Sequence, residues 1–232
     1  MGYAVTADLS VIIPTLDAAA TLGATLDALT GEAAPLREII VADGGSRDAT
    51  LNIAAGHGAN FVAVPRGRGR QLARGAEAAT GLWYLFLHAD TVLERGWSEE
   101  IGRFINHPDN AERAAYLRFA LDDNACAARR LEAMVTWRSR VLGLPYGDQA
   151  LLISAAFYDA LGGFKPLALM EDVEMVRRIG RRRLAMLDVE ALTSAARFQK
   201  SGYLRRSARN LGCLMLYFVG VPIPLIARIY RG

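Results

Sequence analysis

Residues 81–91 read GLWYLFLHADT. Trp83 to Leu87 form an unbroken apolar run of strand length, with a glycine signal before it and a polar His88-Ala89-Asp90 after it. A strand that is apolar on both faces belongs in a parallel sheet covered by helices. Such sheets bind ligands beyond the carboxyl ends of their strands, where His88 and Asp90 stand. A carboxylate there is placed to bind a hard cation, Mg²⁺ or Mn²⁺, that also holds a diphosphate. The alternative is that Asp90 caps the following turn.

The same pattern recurs upstream. Segment 9–14 (LSVIIP) is a short buried strand ended by proline, and 21–29 has helical spacing with Leu22, Leu26 and Leu29 on one face. Segment 37–42 (REIIVA) is a second strand, followed by a helix capped by Ser46 or Asp48 and running to about residue 55. Segment 60–64 is a third strand, and 71–80 an Ala-rich helix closed by Gly81. Strand and helix thus alternate up to residue 87, which predicts an α/β fold with a mostly parallel central sheet and helices on both faces. Each strand delivers polar residues to its end: Thr15 and Asp17, then Asp43 and Ser46, then Arg66 to Arg70, then His88 and Asp90. Downstream, 115–120, 149–154 and 184–187 read as strands, and 125–142, 155–161 and 173–179 as helices.

Composition narrows the class. With 52% apolar and 22% charged residues in 232, the chain can bury a sizeable core and is no disordered tail. Two cysteines without metal-ligand spacing exclude a disulfide framework and point to a reducing cytoplasm. Residues 1–9 lack the basic and apolar regions of a signal peptide. The net charge of +3 comes with arginines clustered at 66–70, 177–183 and 205–209, which suit a phosphate, an anionic lipid surface or nucleic acid.

Further segments offer chemistry. In 41–46, Asp43 enters a glycine turn at Gly44, where it can accept hydrogen bonds from a nucleobase or ribose, or simply form an Asp-Gly turn. Segment 66–71 (RGRGRQ) is cationic and opens a helix, which suits a diphosphate; it is not a dinucleotide fingerprint, because Leu72 stands at the third glycine's place. Glu171 and Asp172 begin a helix, either as first-turn acids or with a general base that deprotonates an acceptor. Tyr146-Gly147-Asp148-Gln149 is a polar turn that can shape an acceptor pocket. Arg197 beside Phe198 either clamps a phosphate or lies at the surface.

Taken together, these segments resemble the family 2 glycosyltransferases, which have the Rossmann-like GT-A fold. The likeness spans roughly 9–200. It rests on 9–17, on the acid-glycine-serine stretch 40–50, on 79–91 leading to the D-x-D position, and on the acidic pair Glu171-Asp172. Within the family, 67–71, 87–91 and 145–149 resemble a small bacterial subgroup of radical-SAM/selenodomain-associated transferases. The resemblance implies transfer of one sugar from a nucleotide-diphosphate sugar, a UDP-sugar first, with inversion. Pro14, Thr15, Asp17, Asp43 and Gly44 would bind the nucleotide, and Arg70 and Arg197 phosphate. Asp90, with His88, would hold Mn²⁺ or Mg²⁺, Asp172 with Glu171 would be catalytic, and Asp148 and Gln149 would meet the acceptor. Three departures stand out. His88 replaces the first acid of D-x-D, Leu16 replaces a base-stacking aromatic, and the Q-x-x-R-W motif of processive synthases is absent.

Residues 1–200 are expected to form the transferase domain and 201–232 a basic, apolar helical segment. That segment is either an interfacial membrane anchor or a helix packed on the domain or in a homodimer. An anchor would place the chain on the inner face of the cell membrane and allow a lipid-linked acceptor. No nucleic acid is expected as a partner. Two other functions compete. A sugar-phosphate nucleotidyltransferase would carry a glycine-rich basic loop where Thr15–Ala20 stands, and a non-catalytic nucleotide-sugar scaffold would account for His88 and Leu16.

Overall fold

The structure is a computed structural model that describes residues 8–231, without the side chains of 197, 201 and 231. The signal-peptide reading of 1–9 therefore falls largely outside the described residues. The first half runs β1 (Leu9–Thr15), α1 (Ala19–Thr30), β2 (Leu36–Asp43), α2 (Thr50–Gly56), β3 (Asn60–Ala63), α3 (Arg68–Ala78) and β4 (Trp83–Phe86). The second half runs β5 (Thr91–Leu93), α4 (Trp97–Ile105), β6 (Ala114–Leu121), α5 (Cys126–Leu142), β7 (Leu151–Ser154), α6 (Ala155–Ala160), α7 (Glu171–Ile179) and β8 (Leu184–Thr193). Three helices follow: α8 (Ala196–Ser201), α9 (Tyr203–Phe218) and α10 (Ile223–Arg231).

Among the described residues the eight strands join one sheet in the order β3-β2-β1-β4-β7-β6-β8-β5. The ladders β1–β2, β1–β4, β2–β3 and β6–β8 are parallel. Those of β7 with β4 and β6, and of β5 with β8, are antiparallel. The fold is thus α/β with a mostly parallel sheet. Helices cover both faces, because successive strand side chains point to opposite sides. Val11 and Ile13 pack with Leu22, Leu26 and Leu29 of α1, Ala54 of α2 and Trp97 of α4. Ile12, between them, packs with Leu72 of α3, Phe157 of α6 and Met175 of α7. Burying each such Leu or Ile contributes about 1.5–3 kcal/mol.

Several element readings need correction. β8 is 10 residues long, not four, because Leu187, Val189 and Ala191 are buried while Asp188 is exposed, an alternation that continues the strand. β5 and α4 were not expected. α3 starts at Arg68 and ends at Ala78, so Gly81 does not stop it. Instead a Cβ at Gly81 would lie 2.6 Å from the Asp8 carbonyl, so glycine lets β4 begin against β1. Gly147–Gln149 is a 3₁₀ turn, and β7 begins only at Leu151. Ser46 does not cap α2; Asp48 accepts from the Thr50 N–H at 3.0 Å.

The C-terminal helices pack on the sheet domain through Leu214, which meets Leu144, Val173 and Val176. Cys213, Ile226 and Ala227 are also buried. Among the described residues no helix is long and apolar enough to cross a membrane.

Candidate active site

The carboxyl ends of β1 and β4 and the start of α3 open on a cleft of about 630 Å³, lined by Pro14, Thr15, Asp17, Arg68, Gln71 and Asp90 among others. The loops after β1 and β2 are tied to one another. Asp17, at φ 50°, accepts from the Arg47 N–H at 2.8 Å, and its own N–H donates to Ser46 Oγ at 2.8 Å. Asp43 is buried at the end of β2. It accepts from the Thr15 and Ser46 hydroxyls and from the Gly45 and Ser46 N–H groups, at 2.5–2.9 Å. Burial pushes its pKa up, but the bonds from Ser46, Thr15 and Gly45 outweigh it and hold the carboxyl below the usual range. These four bonds fill the acceptor capacity of a carboxylate. In this arrangement Asp43 shapes the turn, and a nucleobase would reach it only by displacing a hydroxyl.

Gln71 was missed in the sequence, yet it braces the same turn. Its buried amide donates to the carbonyls of Thr15 at 2.6 Å and Ala42 at 2.9 Å. Gly44 lies against it, where a Cβ would stand 3.2 Å from the amide, and the Gly44 N–H donates to the Thr15 carbonyl at 2.9 Å.

Of the arginines in 66–70, Arg66 and Arg68 line the cleft and Arg70 does not. Arg70 is exposed on α3. Arg68 Nε lies 3.0 Å from Glu171 Oε1, an ion pair without hydrogen-bond alignment, and its Nη2 meets His88 Nε2. Burial, then the Arg68 charge, push the His88 pKa down, which favours neutral imidazole. Nε2 of His88 thus faces a guanidinium, and its remaining ring nitrogen, Nδ1, is the one turned toward Asp90. Asp90 remains at the cleft, its Oδ1 3.7 Å from His88 Nδ1. Arg197 lies in α8, and its side chain is outside the described residues.

A second cavity, of about 150 Å³, adjoins the cleft. It is lined by Asp148, Glu171 and Asp172 and closed by Arg206, Asn210 and Tyr230 of the C-terminal helices. Asp172 is half-buried; its Oδ2 accepts from the Gly147 N–H at 2.8 Å and its Oδ1 from the Val173 N–H at 2.7 Å. Glu171 is 2% exposed. Burial pushes its pKa up to about 7, with Arg68 opposing and Asp172 adding to the rise. Asp148 Oδ1 is buried without a hydrogen-bond partner among the described residues, and burial raises that carboxyl too. Gln149 does not face the cavity. Its Oε1 accepts from Ser139 Oγ at 2.7 Å and its Nε2 donates to the Leu117 carbonyl at 3.2 Å, so it holds the turn and is not oriented to touch an acceptor.

Gly147 is fixed by this crowding, since a Cβ there would collide with the Arg68 guanidinium. Among the described residues the non-glycine positions with positive φ are Asp17, Ala150 and Met170. Asp17 lines the cleft, Met170 immediately precedes Glu171-Asp172, and Ala150 ends the Gly147–Gln149 turn. Strain of this kind, about 1–3 kcal/mol each, persists where surrounding structure imposes it, and such positions cluster at functional sites.

A mostly parallel sheet with helices around it, whose strand ends open on a cleft lined by arginines and acids, defines the class: an α/β fold with its candidate site at the strand ends. Residues 10–138 match the family model of Glycosyl transferase family 2. The chain belongs to that family. It is 40% identical over 91 residues to a PGL/p-HBAD biosynthesis glycosyltransferase of Mycobacterium tuberculosis, a match that covers 36% of this chain and only 36% of that relative. Solved structures share the fold. Glucosyl-3-phosphoglycerate synthase from Mycobacterium tuberculosis, in complex with Mn²⁺, UDP and glucosyl-3-phosphoglycerate, aligns with TM-score 0.64 at 19% identity, over 96% of this chain and 86% of that one. The same enzyme with Mn²⁺ and UDP-glucose gives 0.62 at 18% identity, over 96% and 85%. S. aureus TarS gives 0.62 at 15% identity, over 96% of this chain and 42% of that one.

Proposed function

We propose that this chain transfers a single sugar, a hexose, from a nucleotide-diphosphate sugar to an acceptor hydroxyl with inversion at the anomeric carbon. A UDP-sugar is the donor we favour, since the structural neighbours named above bind UDP and UDP-glucose. The observation that carries the reading is the adjacency of two spaces, an open cleft at the strand ends and a smaller acid-lined cavity, joined at Arg68, His88 and Asp90. Residues 1–200 would carry the transfer site, with 201–232 walling the cavity. The stretches 67–71, 87–91 and 145–149 support the radical-SAM/selenodomain-associated subgroup.

In this reading the nucleotide lies along Pro14, Thr15 and Asp17, over the turn held by Asp43, Gly44 and Gln71. Mn²⁺ or Mg²⁺ would be held by Asp90 together with the donor diphosphate. The carboxylate is a hard ligand at the cleft, and no group of three or more His, Cys, Asp or Glu among the described residues could hold an ion unaided. Bound there, the ion would neutralise charge on the leaving diphosphate. Asp172, whose oxygens each accept one bond from the chain, takes the acceptor hydroxyl proton. The freed oxygen attacks the anomeric carbon as the bond to the diphosphate oxygen breaks, and the nucleotide leaves with that electron pair. Arg68 faces the developing negative charge, and Glu171 positions Arg68. The unpaired Asp148 Oδ1 accepts from an acceptor hydroxyl.

The test separates binding from turnover. Asp172→Asn should keep UDP affinity while nucleotide release from the UDP-sugar falls by about 10²–10⁴-fold. Unchanged release in this variant would remove Asp172 as the base.

A further inference from the structure

We propose that α5, α9 and α10 together form a docking face for an anionic lipid surface. On α9 the solvent side is apolar rather than polar. Leu204, Leu211, Met215 and Phe218 are 88%, 57%, 62% and 48% exposed, at spacings of seven, four and three residues that keep them on one stripe. A second stripe, Met134, Trp137 and Val141, runs along α5 with Trp137 56% exposed. Leu225 and Ile229 on α10 are 48% and 52% exposed, one turn apart. These three helices are neighbours, since α9 contacts both α5 and α10. Large apolar exposure shared by adjacent elements marks an interaction surface.

Charge selects the occupant. Exposed arginines border the apolar stripes: Arg140 beside Val141, Arg205 beside Leu204, and Arg228 beside Ile229. Arg177, also exposed, stacks 5.1 Å over the Phe218 ring. From residue 191 to 232 the sequence contains no Asp or Glu. A second copy docked on the same face would bring like charges together. Anionic headgroups complement them, and each arginine near such a surface strengthens binding. No described helix is long and apolar enough to cross a bilayer, so contact is interfacial, with apolar stripes at the acyl boundary and arginines among the headgroups. Tryptophan favours that depth. Because α9 and α10 also wall the cavity of Asp148 and Asp172, docking presents that cavity's wall to the lipid. The docking stands without the transfer reading.

The experiment is co-sedimentation of the full chain with vesicles of equal phosphatidylglycerol and phosphatidylcholine, against pure phosphatidylcholine. Binding to the anionic vesicles should be at least about tenfold tighter and weaken with salt. Trp83 and Trp97 are already buried, so a blue shift of tryptophan emission on binding should come from Trp137 and vanish in Trp137→Phe. The double variant Leu211→Glu, Met215→Glu should lose vesicle binding by tenfold or more, with melting temperature and UDP titration unchanged. UDP titration reports the transfer site separately, so failure there leaves the docking untouched. Equal partition to both vesicles, no partition, or a dimer that shields Trp137 would overturn the proposal.

Discussion

At Asp43 a single carboxylate shows how much of the site is scaffolding. Its four hydrogen bonds leave no spare acceptor, so Asp43→Asn must turn an amide N–H₂ toward one or more donors. We expect a loss of about 1–3 kcal/mol, read as a lower denaturation midpoint. Glu171 makes a different prediction. Its folded pKa, about 7, lies above the ordinary 4.5, so the native state binds this proton more tightly than the unfolded chain. Its contribution is therefore fully present at low pH and lost as pH rises through about 7. The melting temperature of the parent chain minus that of Glu171→Gln should fall over that window; a flat difference would refute the shift. Asp43, Asp90, Glu171 and Asp172 stand out in the sequence because each follows a strand or opens a helix, and the structure has each of them at such a position. Sequence reading named Arg70, whereas Arg68 is the one of the two that lines the cleft, a difference of helical phase alone. α3 buries Gln71, Leu72 and Gly75, which turns Arg68 inward and Arg70 out. A polar Gln71 on that buried face was the missed signal.

Among the elements, the sheet's first half was legible throughout; in the second, β6, β7 and the start of β8 were legible and β5 was not. β1, β2 and β4 are apolar runs that end on polar residues, and parallel pairing follows from the intervening helices. β5 has three residues, too few for any period, and gains its strand from pairing with Thr193, Leu192 and Ala191 of β8. The turn Gly147–Gln149 read as one that can shape an acceptor pocket, but its contacts to Arg68 and Asp172 were not legible because they are distant in sequence. It packs against Arg68 and donates to Asp172, 25 positions away. Gly147→Ala tests this. We expect a folded protein in which the displaced Arg68 lowers UDP affinity about tenfold, equivalent to roughly 1.4 kcal/mol. Unchanged affinity would separate Arg68 from the donor site.

For the molecule as a whole, the sheet supplies the cleft and the C-terminal helices supply the far wall of the cavity. That second part escaped sequence reading, which left the tail open between a membrane anchor and a packed helix. Buried Cys213, Leu214 and Ile226 show that one side of the tail packs on the domain, while its apolar outer side remains exposed. Both parts of the account meet at Asp90, where donor and ion are proposed to bind jointly. The most direct measurement is a calorimetric titration of the full chain with UDP, GDP, CDP and dTDP, with and without Mn²⁺, repeated on Asp90→Ala. The account predicts that UDP binds, that Mn²⁺ strengthens it, and that Asp90→Ala loses the Mn²⁺ effect. A folded chain that binds none of the four, with or without Mn²⁺, would contradict it.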